Sequence, residues 1–319
     1  MVESKQQWKA WLYLAPAIVL LLIFTVWPII NTVSMAFLEG YSGLTKAGGD
    51  VTFKIGLGNF IHVVGHPDFL QAMKNTILLC LITVPVSTIL ALLIAVALNA
   101  IGPLRKALQT IFFLPYVTNS IAIGMVFAAM FNVIGSIGTR RPVIVSYGIV
   151  NDIIRLISGN SDPKNFINFI NTGSSYEMNM LVMVIYIVWN ALPFKILVLL
   201  GGLQSINKQY YDAAKVDSAP RWRVLTRITV PLLSPMIAYV VITGFIGGFK
   251  EYTSIVGIFG ENMGPVHDAG RLNTMVGLIY DSLELDNQGG ASAAALILFG
   301  IILVVTLINL QVSKKRVHY

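Results

Sequence analysis

Charged residues are scarce in this chain. Asp, Glu, Lys and Arg make up 12% of its 319 residues, against about a quarter in soluble proteins. Hydrophobic residues make up 55%, and the mean hydropathy is +0.74. A soluble fold of this length could not bury so much apolar surface. The composition therefore excludes an ordinary soluble protein and indicates that lipid is the solvent.

Several kinds of chemistry are also missing. The one cysteine, Cys80, lies in the apolar run ILLCLITV, so no intrachain disulfide can form. No G-x-x-x-x-G-K-[ST] sequence is present to hold nucleotide phosphates. His62, His66, His267 and His318 have no metal-ligand spacing, and no Ser, His and Asp group converges. We predict no catalytic residue, no metal site and no cofactor in this chain.

What the sequence does contain is six hydrophobic runs, each long enough to cross a hydrocarbon core, which takes about 20 helical residues. They lie near residues 11–37, 72–100, 110–131, 178–201, 232–258 and 291–312. The first run is too long for a signal peptide and contains Pro16 and Pro28, so we interpret it as a retained span. The predicted fold is an all-α, polytopic membrane bundle of about six transmembrane helices.

The loops between these spans differ in charge. One set holds twelve basic and three acidic residues, and the opposite set holds seven basic and eleven acidic residues. The twelve are Lys5, Lys9, Arg105, Lys106, Lys208, Lys215, Arg221, Arg223, Arg227, Lys314, Lys315 and Arg316. Loops rich in Lys and Arg stay in the cytoplasm, so both termini are predicted to be cytoplasmic. The net charge of +7 therefore indicates a membrane, and not a nucleic acid, as the partner.

The largest external segment, residues 132–177, contains apolar residues at helical spacing. These are Val145, Ile149, Ile153, Ile154 and Ile157. The spacing predicts an amphipathic helix on the membrane face. We interpret it as a lid over the bundle, with a docking surface for an external partner as the alternative.

The cytoplasmic loop near 202–231 is short and polar. Ser205 to Ala219 has the pattern of a short helix, and Pro220 fits the first position of a second helix. A tight turn at Ser218 and Ala219 would join the two. The loop also carries Arg221, Arg223 and Arg227, which can contact anionic headgroups. Composition alone favours an ordinary basic loop that anchors the bundle.

The order of residues in this loop points further. It resembles the EAA motif of ABC-importer permeases, which reads Glu-Ala-Ala, three residues, Gly, nine residues, then Ile-x-Leu-Pro. Asp212, Ala213 and Ala214 match its opening, and Ser218 stands at the Gly position. Ile228 and Pro231 close the motif at the same spacing, with Val230 in place of Leu.

The resemblance covers residues from about 100 to 311. RKALQTIFFLPYVTNSIAIGMVF, LGGLQSINKQYYDAAKVDSA and the segment 273–303 are similar to MalF/UgpA-like subunits of sugar and glycerol-phosphate importers. We predict three parts of the chain, namely an N-terminal span with the first external loop (1–71), a permease core (72–311) and a basic cytoplasmic tail (312–319). The resemblance also implies an ATPase-docking helix. Its residues would be Asp212, Ala213, Ala214, Asp217, Ser218 and Ala219.

The same resemblance implies a set of partners. They are a second homologous permease subunit, two ATPase subunits that bind ATP and Mg, and an extracytoplasmic solute-binding protein, all at the bacterial cytoplasmic (inner) membrane. In this family, closure of the ATPases switches the pore between inward-open and outward-open states.

Charged residues inside spans cost about 2.5 to 3.5 kcal/mol each at a helix centre, so each needs a partner or water. Lys195 lies in the fourth span, and Lys250 and Glu251 lie in the fifth. The resemblance favours a substrate pathway here, because residues of this span contact substrate in that family, and Trp189 and Phe249 would offer faces for ring stacking. The pathway residues are Trp189, Phe249, Lys250, Glu251 and Tyr252. The alternative is an intramembrane ion pair between Lys195 and Glu251.

The predicted function is that of a permease subunit in an ATP-driven, binding-protein-dependent importer for a sugar or oligosaccharide, working by alternating access. The alternative is an ion-coupled secondary transporter of a small polar solute. Such a carrier would also show a charged pair at the membrane midplane, but it would not need an EAA-like loop.

Overall fold

A computed structural model describes residues 7–47, 52–101, 105–137, 142–159 and 166–316. Within these residues the chain is predominantly helical. The helices are α1 (Gln7–Leu21), α2 (Trp27–Phe37), α3 (Gly43–Ala47), α4 (Gly58–Val64), α5 (Phe69–Ala100), α6 (Arg105–Val117), α7 (Ser120–Phe131), α8 (Ile149–Ser158), α9 (Tyr176–Ser205), α10 (Lys208–Val216), α11 (Arg221–Val224), α12 (Val230–Leu232), α13 (Ser234–Gly248), α14 (Thr253–Phe259), α15 (Met275–Glu284) and α16 (Gln288–Arg316). Strands β1 (Val133–Ile137) and β2 (Pro142–Tyr147) form one antiparallel hairpin.

Four helical stretches are long and apolar enough to cross a membrane. They are Trp8–Phe37, Phe69–Ala100, Tyr176–Ser205 and Gln288–Lys314. Two bent pairs pass the same test. One is Ala107–Val117 with Ser120–Phe131, bent by 98°, and the other is Arg221–Leu232 with Ser234–Gly248, bent by 70°. With each pair counted as one span, the described residues contain six spans, which confirms the predicted helical membrane bundle.

The bend in the third span falls where Asn119 caps α7. Its Oδ1 accepts hydrogen bonds from the backbone N–H groups of Ile121, at 2.8 Å, and Ala122, at 3.4 Å. A side-chain cap of this kind starts a new helix, and Pro115 has already removed one N–H from α6. The hydropathy of residues 110–131 predicted a span but not this bend.

Two π-helical segments each end two residues before a proline. Leu22–Val26 joins α1 to α2 ahead of Pro28, and Leu225–Thr229 joins α11 to α12 ahead of Pro231. A proline ring removes one N–H and clashes with the preceding turn. The wider π turn gives the helix room to continue through the proline without a break.

The external segment combines the hairpin with α8. The predicted amphipathic helix is present, but it begins at Ile149, and Val145 lies in strand β2. Ile154 packs against a buried apolar cluster, whereas Leu156 and Ile157 are exposed. The lid and docking interpretations of this helix both stay predictions.

The chain divides into two compact units. The first comprises Met1–Phe69 and Leu278–Gly300. Within it, Asp286 accepts hydrogen bonds from the Ser42 hydroxyl and from Gln288 Nε2, the latter at 2.6 Å. These hydrogen bonds, that from Ser42 first, hold the pKa of Asp286 below its ordinary value.

The second unit comprises Leu70–Gly277 and Ile301–Tyr319 and contains both candidate sites. Its helices α7 and α14 cross at Gly124 and Gly257, where a Cβ on Gly124 would lie 2.7 Å from the Gly257 Cα. Tyr186 of α9 is fully buried, and its hydroxyl donates a hydrogen bond to the Ser120 carbonyl of α7 at 2.5 Å. Small residues at the crossing bring the backbones together.

Candidate functional site

The cytoplasmic loop folds into two short helices joined by a turn, as predicted, although the first helix is shorter than Ser205–Ala219. Asn207 is its N-cap, and the Asn207 Oδ1 accepts a hydrogen bond from Gln209 N at 3.0 Å. Ile206 is extended, so α9 and α10 are separate helices. The loop therefore presents α10 as an independent element after the fourth span.

The turn after α10 places Ser218 in the left-handed region, with φ +50°. Ser218 N donates to the Lys215 carbonyl at 3.0 Å, and Ala219 N donates to the Ala214 carbonyl at 2.9 Å. This pair of hydrogen bonds is a Schellman motif, which usually has Gly at the left-handed position. The site at which the EAA motif has Gly is thus the site at which this backbone favours Gly.

The second helix of the loop begins one residue later than predicted. Pro220 is the N-cap of α11 and not its first helical residue, with φ −65° and ψ 147°. Its carbonyl accepts hydrogen bonds from Arg223 N at 2.9 Å and Val224 N at 3.1 Å. The extended backbone at Pro220 turns the chain sharply between α10 and α11.

The predicted docking residues differ in exposure. Ala214 is buried against the loop, Ala219 is half-buried, and Ala213, Asp217 and Ser218 are exposed. Asp212 is also exposed, and its Oδ1 lies 3.2 Å from Lys215 Nζ. An exposed pair of this kind contributes little to stability. Ala213 is therefore a small exposed residue of α10, one helical turn from the exposed side chains of Tyr210 and Val216.

Behind α10 the loop encloses an open cleft of about 460 Å³. It is lined by Asn207, Gln209, Tyr210, Ala213, Ala214, Asp217, Ala219, Arg223, Val224, Arg227 and Ile228. Four of the six predicted docking residues are among them. The sequence placed Arg223 and Arg227 in this loop, but it gave no sign that they share a cleft with the docking helix.

The second candidate site interrupts the predicted fifth span, residues 232–258, directly after the observed span ends at Gly248. Helix α13 ends at Gly248, and α14 begins at Thr253. The Glu251 Oε1 accepts a hydrogen bond from Ser254 N at 3.2 Å, and the Thr274 hydroxyl donates to the Glu251 carbonyl at 2.9 Å. These contacts satisfy backbone groups that a broken helix would leave unpaired within the membrane.

The predicted pathway residues fall around this break. Phe249 is buried, Lys250 is exposed, and Glu251 and Tyr252 are half-buried. Tyr252 and Trp189 pack against the same buried cluster. Because the Trp189 ring also lies 5.1 Å from the Phe127 ring, centroid to centroid, Phe127 restricts access to part of the indole. The pathway assignment stays a prediction.

The alternative ion pair between Lys195 and Glu251 is not formed. Lys195 is buried, and its Nζ donates to Ser87 Oγ at 2.7 Å, to Thr88 Oγ1 at 3.0 Å and to the Val84 carbonyl at 3.2 Å. Three oxygens of α5 thus satisfy all three donors of the ammonium. The two hydroxyl residues in an apolar run were the sequence signal for this contact.

Comparison with known proteins places these features in context. Residues 87–318 match the family described as binding-protein-dependent transport system inner membrane component. The arabinooligosaccharides transport system permease protein AraP of Bacillus subtilis is 30% identical, over 95% of this chain and 88% of its own length. The lactose transport system permease protein LacF of Rhizobium radiobacter is 26% identical, over 94% of this chain and 91% of its own.

Solved structures with the same fold are bacterial ABC transporters. A crystal structure of one involved in the import of the acidic polysaccharide alginate gives a TM-score of 0.76 at 23% identity, covering 98% of this chain and 96% of that one. A bacterial alginate ABC transporter in complex with an alginate pentasaccharide-bound periplasmic protein gives 0.75 at 25% identity, with the same coverage.

Proposed function

Because the chain belongs to the family of binding-protein-dependent transport system inner membrane components, we propose that it is a permease subunit of an ABC importer for a sugar or oligosaccharide. Named relatives over nearly the whole chain transport lactose and arabinooligosaccharides. The six hydrophobic spans fit a multi-pass protein of the bacterial inner membrane. Family membership favours this function over an ion-coupled carrier.

The observation that carries the proposal is the geometry of the cytoplasmic loop. Ala213 of α10 is exposed, and the left-handed Ser218 follows two residues after the helix ends, at the spacing of the EAA motif. We propose that α10 docks on an ATPase subunit, which binds ATP and Mg. A small side chain at Ala213 lets the helix enter a groove without a steric clash.

The remaining partners follow from this role. We propose that a second homologous permease completes the pore, that two ATPase subunits drive it, and that an extracytoplasmic solute-binding protein delivers the substrate. ATP-driven closure of the ATPases would move α10 and its attached spans, so that the pore opens alternately to each side.

The break at 249–252 is the proposed substrate contact. Irregular backbone at membrane depth is tolerated where it lines a cavity, and discontinuous helices commonly surround transporter binding sites. Lys250 and Tyr252 would offer hydrogen bonds to sugar hydroxyls. Phe249 precedes them in the chain, and Trp189 packs against the same cluster as Tyr252.

The docking proposal is tested by purification in mild detergent from the native cell. We expect the tagged wild-type chain to carry an ATPase and a second permease with it, and Ala213→Glu to lose the ATPase because a bulky charge clashes in the groove. Ala47→Glu is the matched control, since Ala47 is an exposed alanine of α3, in a loop predicted to be external. Retention of the ATPase by Ala213→Glu would contradict docking through α10.

A further inference from the structure

The cleft behind α10 contains two arginines to which the proposed function assigns no role. Arg223 and Arg227 lie one helical turn apart on the Arg221–Leu232 helix, and both line the cleft. In the described part of the chain, neither guanidinium is within ion-pair distance of a carboxylate. The two cations outnumber the one acidic residue of this concave surface, and such an excess of positive charge indicates an anionic partner.

The charge balance of the cleft supports this. The one acidic residue among its lining is Asp217. Asp212 does not line the cleft, and its carboxylate pairs with Lys215. With two arginines and one aspartate, the lining therefore keeps an excess of positive charge.

The walls of the cleft define what can enter it. Its apolar lining residues are Ala213, Ala214 and Ala219, together with Val224 and Ile228 of the Arg221–Leu232 helix. At about 460 Å³ the cleft has room for one or two side chains of a protein segment. Guanidinium groups bind carboxylates through paired N–H donors, with defined geometry.

We propose that the cleft receives an acidic segment of the ATPase subunit, in which an Asp or Glu carboxylate is bound by Arg223 and Arg227. This inference rests on the proposed docking of α10. Ala213, Ala214, Asp217 and Ala219 belong both to the docking helix and to the cleft lining. A protein that covers the docking helix therefore also covers the cleft, which favours a protein segment over a lipid headgroup as the occupant.

The test compares two charge-neutralising changes on one helix. Arg223→Gln/Arg227→Gln removes both cations of the cleft. Arg221→Gln removes a cation from the same helix at an exposed position that does not line the cleft. The affinity of the ATPase recovered with the wild-type complex is measured for each purified permease complex in nanodiscs, at low and high NaCl.

We expect the double variant to bind the ATPase about tenfold more weakly or worse at low salt, and its affinity to depend less on NaCl than that of the wild type. Arg221→Gln should behave as the wild type does. Equal affinities for the double variant and Arg221→Gln would overturn the inference. Loss of the difference in nanodiscs that lack anionic lipid would also overturn it, since it would identify a headgroup as the occupant.

The variant Ala213→Glu separates this inference from the proposed function. If Ala213→Glu loses the ATPase while the double variant keeps it, docking holds and the acidic segment does not. If Ala213→Glu keeps the ATPase, docking through α10 fails, and the inference fails with it.

A second measurement identifies the carboxylate directly. Arg223→Lys/Arg227→Lys keeps both charges and supplies amines for carbodiimide cross-linking, which joins an amine to a carboxylate in contact with it. We expect a cross-link to an Asp or Glu of the ATPase, absent with Arg221→Lys. A complex that retains its ATPase but gives no such cross-link, or the same cross-link with Arg221→Lys, would contradict the proposal.

Discussion

Ser218 shows how a single backbone angle relates the sequence motif to the structure. A non-glycine residue in the left-handed region costs about 1 to 2 kcal/mol, and Ser218 has φ +50°. The sequence alone placed Ser218 at a position where the resembled family has Gly. The structure supplies the reason, because the Schellman hydrogen bonds require this backbone angle.

The strain at Ser218 gives a prediction. Ser218→Gly should keep ATPase binding and strengthen it by up to about fivefold, equivalent to about 1 kcal/mol. Ser218→Val should weaken binding by about tenfold or more, because a β-branched residue is poorly tolerated at positive φ. ATPase affinity of the purified complex is the measurement.

Ser205→Val is the control for this pair of changes. Ser205 ends α9 and is not among the described residues with positive φ, so the same replacement should have little effect there. Equal binding by Ser218→Gly and Ser218→Val would show that the turn does not position the docking helix.

At the scale of the helices, Lys195 of α9 forms buried hydrogen bonds to α5 inside the second unit. Its ammonium joins α9 to three oxygens of α5, close to Pro85. The Ser87 and Thr88 hydroxyls also donate to carbonyls of their own helix. They therefore keep a partner when the ammonium is absent, whereas the ammonium has no substitute for a lost acceptor.

This asymmetry predicts which substitution is costly. Lys195→Met should change stability by less than about 1 kcal/mol, because the side chain stays apolar and no oxygen loses its only partner. Ser87→Ala should destabilise by about 1 to 3 kcal/mol, because it leaves a buried charge short of one hydrogen bond. The thermal unfolding midpoint of the purified complex reports both.

A double substitution provides the control. Ser87→Ala in the Lys195→Met background should cost clearly less than Ser87→Ala alone, because the unsatisfied charge is gone. Additive effects of the two substitutions would contradict the assigned role of the ammonium.

The sequence predicted those elements that depend on one segment alone. Hydropathy predicted the spans because the apolar composition of a segment is enough to place it in lipid. It could not predict the bend at Asn119 or the break after Gly248, since those depend on caps and on Thr274 reaching across to Glu251. The hairpin was missed although Val and Ile are frequent in 133–147, a strand signal. The alternative interpretation, an ion pair between Lys195 and Glu251, was wrong because the spacing of residues along the sequence gives no distance between helices.

For the whole molecule, the proposed function separates the source of energy from the substrate pathway. The docking loop and the break at 249–252 lie at opposite ends of the Arg221–Phe259 segment, with α13 between them. A movement imposed on α10 can therefore reach the break through α13 while the chemistry of ATP stays on another chain. A substitution in the break at 249–252 should therefore leave ATPase binding at α10 unchanged.

Transport is measured with the complex reconstituted in proteoliposomes, with the solute-binding protein outside. Uptake of the sugar should require ATP inside. Tyr252→Ala should lower it about tenfold or more through loss of substrate contacts while the ATPase remains bound. Tyr239→Ala, which removes an exposed tyrosine of α13, should leave uptake close to the wild-type rate. Uptake that persists without ATP and stops when the ion gradient is collapsed would establish the ion-coupled carrier instead. If Tyr252→Ala and Tyr239→Ala transport equally well, the pathway does not pass Tyr252, and the break then serves helix packing alone.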